Sequence, residues 1–489
     1  MKRFFALLLS WIGLCCYAQN ELHFTGLLPD DGQYDLLPRK ADLRKADYDG
    51  VPSRHSLRMF CPEPQSQGPY GTCVGWSTGY AARTIAEAIK YGWFSQKKIN
   101  EEAFSPLFVY VLATDDKDDD ECTTGAHVYK ALKLMKNVGA VKRSAFDVKC
   151  ASYVSRDLIE MAAEHKIDDF FTLFSSWWTR GNEKIAKVKK SISENHPVIV
   201  SMKMPRSFHY AGRHWSGEVT DSHRGLHAMC VVGYDDNENG GSFQIMNSWG
   251  TRWGDNGFTW VKYSDFKEYV YQAYEIYVKR LPPVQPGNNI DLRHKNNGGK
   301  KNESIIKPQF KLNRNLLSGT VAIQLASGEE AGSTYNSDKR LYRLEQNIDR
   351  NQGFRLNVSN DAPSYVYVIG WMAGDSVVRL FPPADSISAA LTYKSNHIAI
   401  PSEDDYLKPE VADGIRNICV LYSSESLDFN QVIDSINTSK GTFAKRLETV
   451  IGNRMTPTAN LDFLSNQMGC KTESDKTIMP VMIELPRRH

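Results

Sequence analysis

The sequence predicts an α+β chain, with a first unit in which helices precede strands and a separate β-rich unit after it. Three observations carry this expectation. One-sided apolar spacings of helical period crowd the earlier part of the chain. Strand-like runs replace them after Pro197. A stretch rich in Pro, Gly, Lys and Asn at 282–312 has the composition of a linker and precedes a second set of short apolar runs. That order segregates the two classes of element, as α+β folds do.

The first residues read as a targeting segment. Lys2 and Arg3 precede an apolar run from Phe4 to Leu14, and Cys16-Tyr17-Ala18 supplies small residues at the recognition positions. The expectation is a secretory signal, residues 1–18, cleaved after Ala18. Lipidation at Cys15 or Cys16 is the weaker alternative, because Leu14 or Cys15 would then stand where a small residue is wanted. No other stretch is long and apolar enough to span a bilayer, so an exported, soluble chain without stable membrane insertion is expected. Residues 19–50 are polar, carry the turn signal Asp30-Asp31-Gly32, and read as a leader or surface-wrapping arm.

From Val51 to Leu281 the text is dense in aromatics. Trp76, Tyr80, Thr84, Ile85, Ala88 and Ile89 lie on one helical face, stopped by Gly92. Val128, Ala131, Leu132, Met135 and Val138 mark a second helix, with Thr123 or Thr124 as cap and Gly139 at its end. Ile185, Val188 and Ile192 mark a third, broken before the strand Val198–Val200. Strands are expected at Met229–Gly233, Phe243–Met246 and Phe258–Lys262. Beyond the linker, residues 313–489 read as a β-rich unit of unknown function. Its strands are expected at Thr320–Ala326, Phe354–Val358, Tyr365–Gly370, Val377–Phe381, Ile398–Ile400, Ile418–Tyr422 and Met479–Leu485. Two helices are expected near Phe429–Ile436 and Phe443–Ile451.

Composition excludes little else. The chain of 489 residues is 41% hydrophobic and 24% charged, with a formal net charge of +2. That balance gives no global electrostatic reason to expect nucleic acid as a partner. Asp115 to Glu121 holds six acidic residues in seven positions, but it lacks the glycine and spacing of a calcium loop and reads as solvated. His209, His214 and His223 are unevenly spaced and fit no metal-ligand pattern. Neither a metal nor a cofactor is expected.

Three blocks carry chemistry. Cys73 lies in Gln67-Gly68-Pro69-Tyr70-Gly71-Thr72-Cys73-Val74-Gly75-Trp76, just before a helix, where unpaired N–H groups and the helix dipole favour a thiolate. His227 lies in Gly225-Leu226-His227-Ala228-Met229-Cys230, at the mouth of an apolar strand. Asn247 begins Asn247-Ser248-Trp249-Gly250-Thr251-Arg252-Trp253-Gly254. Each has a bland reading alone: a buried thiol, a structural histidine, a turn with packed aromatics. Together they supply a nucleophile, a base and an orienting group in the order Cys, His, Asn.

This ordered set resembles the papain family of cysteine peptidases, in a divergent bacterial form with an appended β-rich domain. The resemblance is carried by Gln67 six residues before Cys73, by His227-Ala228 leading to Val232-Gly233-Tyr234, and by the run from Asn247 to Gly257. Supporting text lies at Val198–Ser201 with Ser207 to Gly217, and at Val51 to Arg58. It implies a two-lobed domain over 51–281, a helical lobe followed by a β-rich one, that cleaves polypeptide. It also implies roles. Cys73 is the nucleophile, His227 the acid–base, and Asn247 the residue that orients His227. Gln67 is an oxyanion donor, and Trp249 shields the Asn247–His227 bond. Two other readings stay open: a papain-fold binding or scaffold protein of the cell envelope with little turnover, and a Cys–His amidase or acyl-transferase.

The sequence departs from the family pattern in places. Tyr70 and Val74 stand where a cysteine and a tryptophan are common, Leu226 replaces a polar residue before His227, and no long helical prodomain precedes Val51. The β-rich unit is outside the papain pattern and is expected to contact substrate or the cell surface. Nine cysteines less the two in the signal leave an odd number. The resemblance implies a Cys122–Cys150 disulfide. Cys419 and Cys470 are candidates to pair, Cys230 reads as a buried free thiol, and Cys61 has no assignment.

Overall fold

The computed structural model describes residues 23–29, 32–176, 179–217, 223–279, 315–348 and 352–486. The expected signal at 1–18, the linker at 282–312 and the Asp30-Asp31 turn lie outside them.

The first unit has a helical side and a sheet side. A continuous helical run over 73–91 begins at Cys73, and its segment Trp76–Arg83 is wound as a π-helix. It lies against the helix Pro106–Ala113 at very short range. A Cβ on Gly75 would stand 2.1 Å from the Pro106 carbonyl oxygen, so only glycine permits this approach. Helix Val128–Asn137 packs beside them and buries Val128, Ala131, Leu132 and Met135, the face its periodicity predicts. Its expected cap is corrected. His127 precedes the helix, while the Thr123 and Thr124 N–H groups go to Asp119.

The sheet side is eight-stranded. From one edge the order is Asp169–Thr172, Val270–Tyr277, Val198–Pro205, His223–Asp235, Ser242–Met246, Phe258–Lys262 and His214–Trp215, with Arg54–Ser56 paired to the far end of His223–Asp235. Helix Gly181–Ser193 leads into the strand Val198–Pro205. One apolar core, including Val74, Phe108, Leu132, Val200, Val231 and Ile245, joins the helices to this sheet.

The second region is a two-sheet stack with a helical cover. One sheet runs Ser333–Asn336, Leu341–Leu344, Ile478–Glu484, Ile415–Ser423, Ser364–Met372 and Val377–Phe381. The other runs Asn396–Ile400, Phe354–Asn360, Asn315–Leu325, Met468–Ser474 and Asp462–Phe463. Period-two alternation divides the faces. Val366, Val368, Ile418 and Val420 point between the sheets, whereas Tyr367, Ile369, Cys419 and Leu421 point to helices Phe429–Thr438 and Phe443–Ile451.

That alternation also corrects the suggested pairing of Cys419 with Cys470. Cys419 belongs to the helix-covered face and Cys470 to the interior between the sheets, and both are free. Cys230 and Cys61 are likewise buried and free, while Cys122 and Cys150 form a disulfide.

The arm is more deeply built in than its polar composition suggests. Tyr34 is buried, its hydroxyl donating to Ala273 O at 3.1 Å. Arg39 bridges to both Thr172 and Ile387, so the arm touches the first sheet and the β-rich region together. Beside it Lys40 pairs with the wholly buried Glu275, which also accepts from Tyr393 Oη at 3.0 Å.

Candidate active site

Cys73 begins its helix with the helical N–H groups behind it, as the sequence suggests. It is wholly buried. Burial pushes the thiol up to about 11, although the nearby backbone at Ala228 and Gly26 acts in the opposite direction and favours the thiolate. The Ala228 contact brings the thiol beside the next residue of interest.

His227 sits inside the strand His223–Asp235, opposite Met202 on Val198–Pro205. Its Nε2 lies 2.8 Å from Asn247 Oδ1. The same oxygen accepts from the Ser248 N–H at 2.8 Å, which identifies it as the carbonyl end of the amide. An oxygen there requires Nε2 to carry the hydrogen, so Nδ1 is the unprotonated nitrogen of neutral His227. Nδ1 is buried and makes no hydrogen bond. Burial pulls the imidazole down to about 3, against the opposing effect of the Asn247 bond.

Asn247 follows the strand Ser242–Met246, and its own N–H donates to Gly257 O at 3.0 Å. Trp249 is buried and stacks on His227, with ring centroids 4.7 Å apart. It therefore flanks the ring held by Asn247, where water would otherwise compete for the bond.

Gln67 is tied to the same loop. Its N–H donates to Ser248 O at 2.8 Å, and Ser248 Oγ donates to its Oε1 at 2.7 Å. With the oxygen so held, Nε2 turns the other way and donates to Tyr70 O at 2.7 Å and Phe24 O at 3.2 Å. The five residues expected from sequence are thus brought into one constellation spanning the helical and sheet sides.

Two participants escaped the sequence reading. The arm runs through the constellation. Phe24 O also accepts from Trp249 Nε1 at 3.2 Å, and the Gly26 backbone is among the groups that favour the Cys73 thiolate. His209 stacks on Trp249 at 4.9 Å, and its Nδ1 accepts the His23 N–H at 3.1 Å. His209 was visible only as one of three unevenly spaced histidines. Of the others, His214 pairs with Glu238 at 2.5 Å, and the His223 side chain lies outside the described atoms. The acidic run has an internal use. Asp119 accepts from Tyr110 Oη at 2.5 Å and from the Thr123 N–H at 2.9 Å, fixing the loop that carries Cys122.

The geometry agrees with what comparison finds. Residues 72–278 match the family model described as papain family cysteine protease. Cysteine proteinase 3 of Entamoeba histolytica is 30% identical over 228 residues, covering 45% of this chain and 66% of that protein. An uncharacterized peptidase C1-like protein of Acanthamoeba polyphaga mimivirus is 24% identical over 236 residues, covering 45% of this chain and 70% of that one. Among solved structures, xylellain, a cysteine protease from Xylella fastidiosa, aligns over 53% of this chain and 98% of its own at 18% identity, with a TM-score of 0.44. Over residues 72–278, then, the chain matches the papain family of cysteine proteases. It carries in addition a β-rich C-terminal region.

Proposed function

We propose that this protein hydrolyses peptide bonds as an exported endopeptidase, with Cys73 as nucleophile, His227 as acid–base and Asn247 as the residue that orients it. The observation that carries the reading is the pair of contacts on Asn247 Oδ1. They assign the hydrogen to His227 Nε2 and leave Nδ1 free to take the thiol proton. The Cys73 sulfur then bonds to the scissile carbonyl carbon, and the carbonyl π electrons move onto oxygen. Gln67 Nε2 and the Cys73 N–H are the donors for that oxyanion, and Phe24 O now lies against the first of them. As the tetrahedral centre collapses, the C–N bond breaks and His227 returns the proton to the departing amine. Water, deprotonated by the same imidazole, attacks the thioester and frees Cys73.

Residues 51–281 would be the catalytic unit and 313–489 a unit that contacts substrate or the cell surface. Export follows from the signal expected at 1–18. No helix among the described residues is long and apolar enough to cross a membrane.

The test is labelling of protein freed of residues 19–33 with an epoxide inhibitor of cysteine peptidases, beside Cys73→Ala, followed by peptide mapping. Label at Cys73, with peptide hydrolysis abolished in the variant, is the expected result. Folded, reduced protein that neither labels nor hydrolyses would overturn the reading in favour of a binding protein.

A further inference from the structure

A small cavity lies behind the constellation, between the helical side and the sheet. It measures about 10 Å³, the room that the centre of one water molecule needs. Trp76, Ser77 and Tyr80 wall it from the helix, and Met229, Asn247 and Ser248 from the sheet side. All six are buried.

Two of these residues carry a buried donor that meets no protein acceptor: the Trp76 indole Nε1 and the Asn247 Nδ2. The Asn247 nitrogen is the end left over when Oδ1 takes both His227 Nε2 and the Ser248 N–H. Neither an indole nor an amide nitrogen accepts, so the two groups cannot satisfy each other. Each needs an oxygen, and burial without one is unfavourable. The hydroxyls of the wall have spent their hydrogens elsewhere. Ser77 Oγ donates to Val74 O at 3.1 Å, Tyr80 Oη to Glu63 O at 2.7 Å, and Ser248 Oγ to Gln67 Oε1. Their oxygens therefore remain as acceptors. A water matches this inventory, since it accepts twice and donates twice, and cavities with such polar walls hold water where purely apolar ones stay dry.

We infer that Trp76 is a positioning residue for Asn247, acting through one buried water that accepts from Trp76 Nε1 and Asn247 Nδ2 together. Held from behind by its nitrogen, the amide keeps Oδ1 on His227 and cannot turn over. The tryptophan that is absent beside Cys73, where Val74 stands, thus has a use three positions along: it brings an N–H to the junction of helix and sheet. The catalytic consequence rests on the peptidase reading; the water and its two donors do not.

The test compares the full chain with Trp76→Phe, which keeps an aromatic ring against Tyr80 and removes only the N–H. A crystal structure of the unaltered chain is expected to show one water within ~3.2 Å of both nitrogens. Alkylation of Cys73 against pH, with the site confirmed by peptide mapping, reads the effect on His227. Loosening Asn247 weakens its hold on the imidazolium, so the acid limb of the profile should move up by about 0.5–1 pH unit in the variant, the effect of losing one hydrogen bond. His209 and His23, the other titratable groups coupled to His227, are the same in both proteins, so the difference isolates Asn247. No density between the two nitrogens, in a map that shows other buried waters, would overturn the proposal, and this result stands even if Trp76→Phe does not fold. An unmoved limb in the folded variant would reduce Trp76 to packing. A shifted limb in a protein that hydrolyses no peptide would sink the peptidase reading and leave the part of Trp76 standing.

Discussion

Ser248 Oγ donates to Gln67 Oε1 at 2.7 Å, so a hydroxyl on the Asn247 loop sets which end of the Gln67 amide faces the cleft. The bond joins the sheet side to the helical side at the proposed oxyanion position. Ser248→Ala would leave Gln67 free to turn, lowering kcat with little change in KM. Gln67→Ala removes the donor itself and should cost on the order of 10²–10³ in kcat. Steady-state kinetics on a peptide substrate, with protein freed of residues 19–33, separates the two. An unchanged kcat in Ser248→Ala would mean that Tyr70 O alone orients the amide.

Asn247→Ala removes the acceptor that fixes the hydrogen on His227 Nε2. The expected loss is ~10² in kcat, the low end of what a positioned acid–base group contributes. The alkaline limb of the rate profile should move as well, because a freely turning imidazole no longer holds one tautomer. Loss of folding rather than rate, seen by circular dichroism, would assign Asn247 a structural part instead.

The positions proposed as catalytic could be read from sequence for a physical reason. In the proposed mechanism Gln67, Cys73, His227 and Asn247 act through their own side chains, so the requirement is written in residue identity. The helices and most strands were legible because Val128, Ala131, Leu132 and Met135, or Val366 and Val368, repeat at the period of their element. The path of the arm past the site was not legible. Phe24 O, the Gly26 N–H and the Leu28 N–H are backbone atoms that any sequence possesses, and a polar segment with little periodicity gives no hint of them. The strand Met468–Ser474 was missed as well, since its burial falls on Met, Gly, Cys, Thr and Ser, not a recognisable apolar alternation.

A pH effect on stability is expected at Glu87, which lies 2.7 Å from Arg83 and 3.5 Å from Lys142. Burial by itself would raise its carboxyl, but His165, Arg83 and Lys142 outweigh burial and hold it well below the usual carboxylate range. A depressed carboxylate stabilises the fold above its ordinary value and loses that contribution as the pH falls below it. Glu87→Gln should therefore cost about 3 kcal/mol at neutral pH, typical of a buried pair broken on one side. The difference in melting temperature from wild type should narrow below about pH 4.5. A gap independent of pH would remove the charge from the explanation.

Lys40 and Glu275 form the buried pair where the arm crosses between the first sheet and Tyr393. Lys40→Met strands a carboxylate that is wholly buried, and a loss of about 3–5 kcal/mol is expected by chemical denaturation. Adding Glu275→Gln should recover much of it, since the uncompensated charge is then gone. A double variant as unstable as the sum of the single ones would show that the two residues act independently.

The disulfide Cys122–Cys150 closes a loop over a sequence separation of 28 and sits beside Ala126, which bridges to Leu27 of the arm. Opening it should cost about 3–4 kcal/mol by loop entropy. It should also speed labelling of Cys73 in the full chain, measured after replacing both cysteines with serine. Unaltered labelling would mean that Asp119 holds the loop unaided.

The chain is pinned at Leu28 on Ala126 and again at the buried Tyr34 on Ala273, so a cut at the exposed Gly32 or Gln33 would leave residues 23–28 held by their own contacts alone.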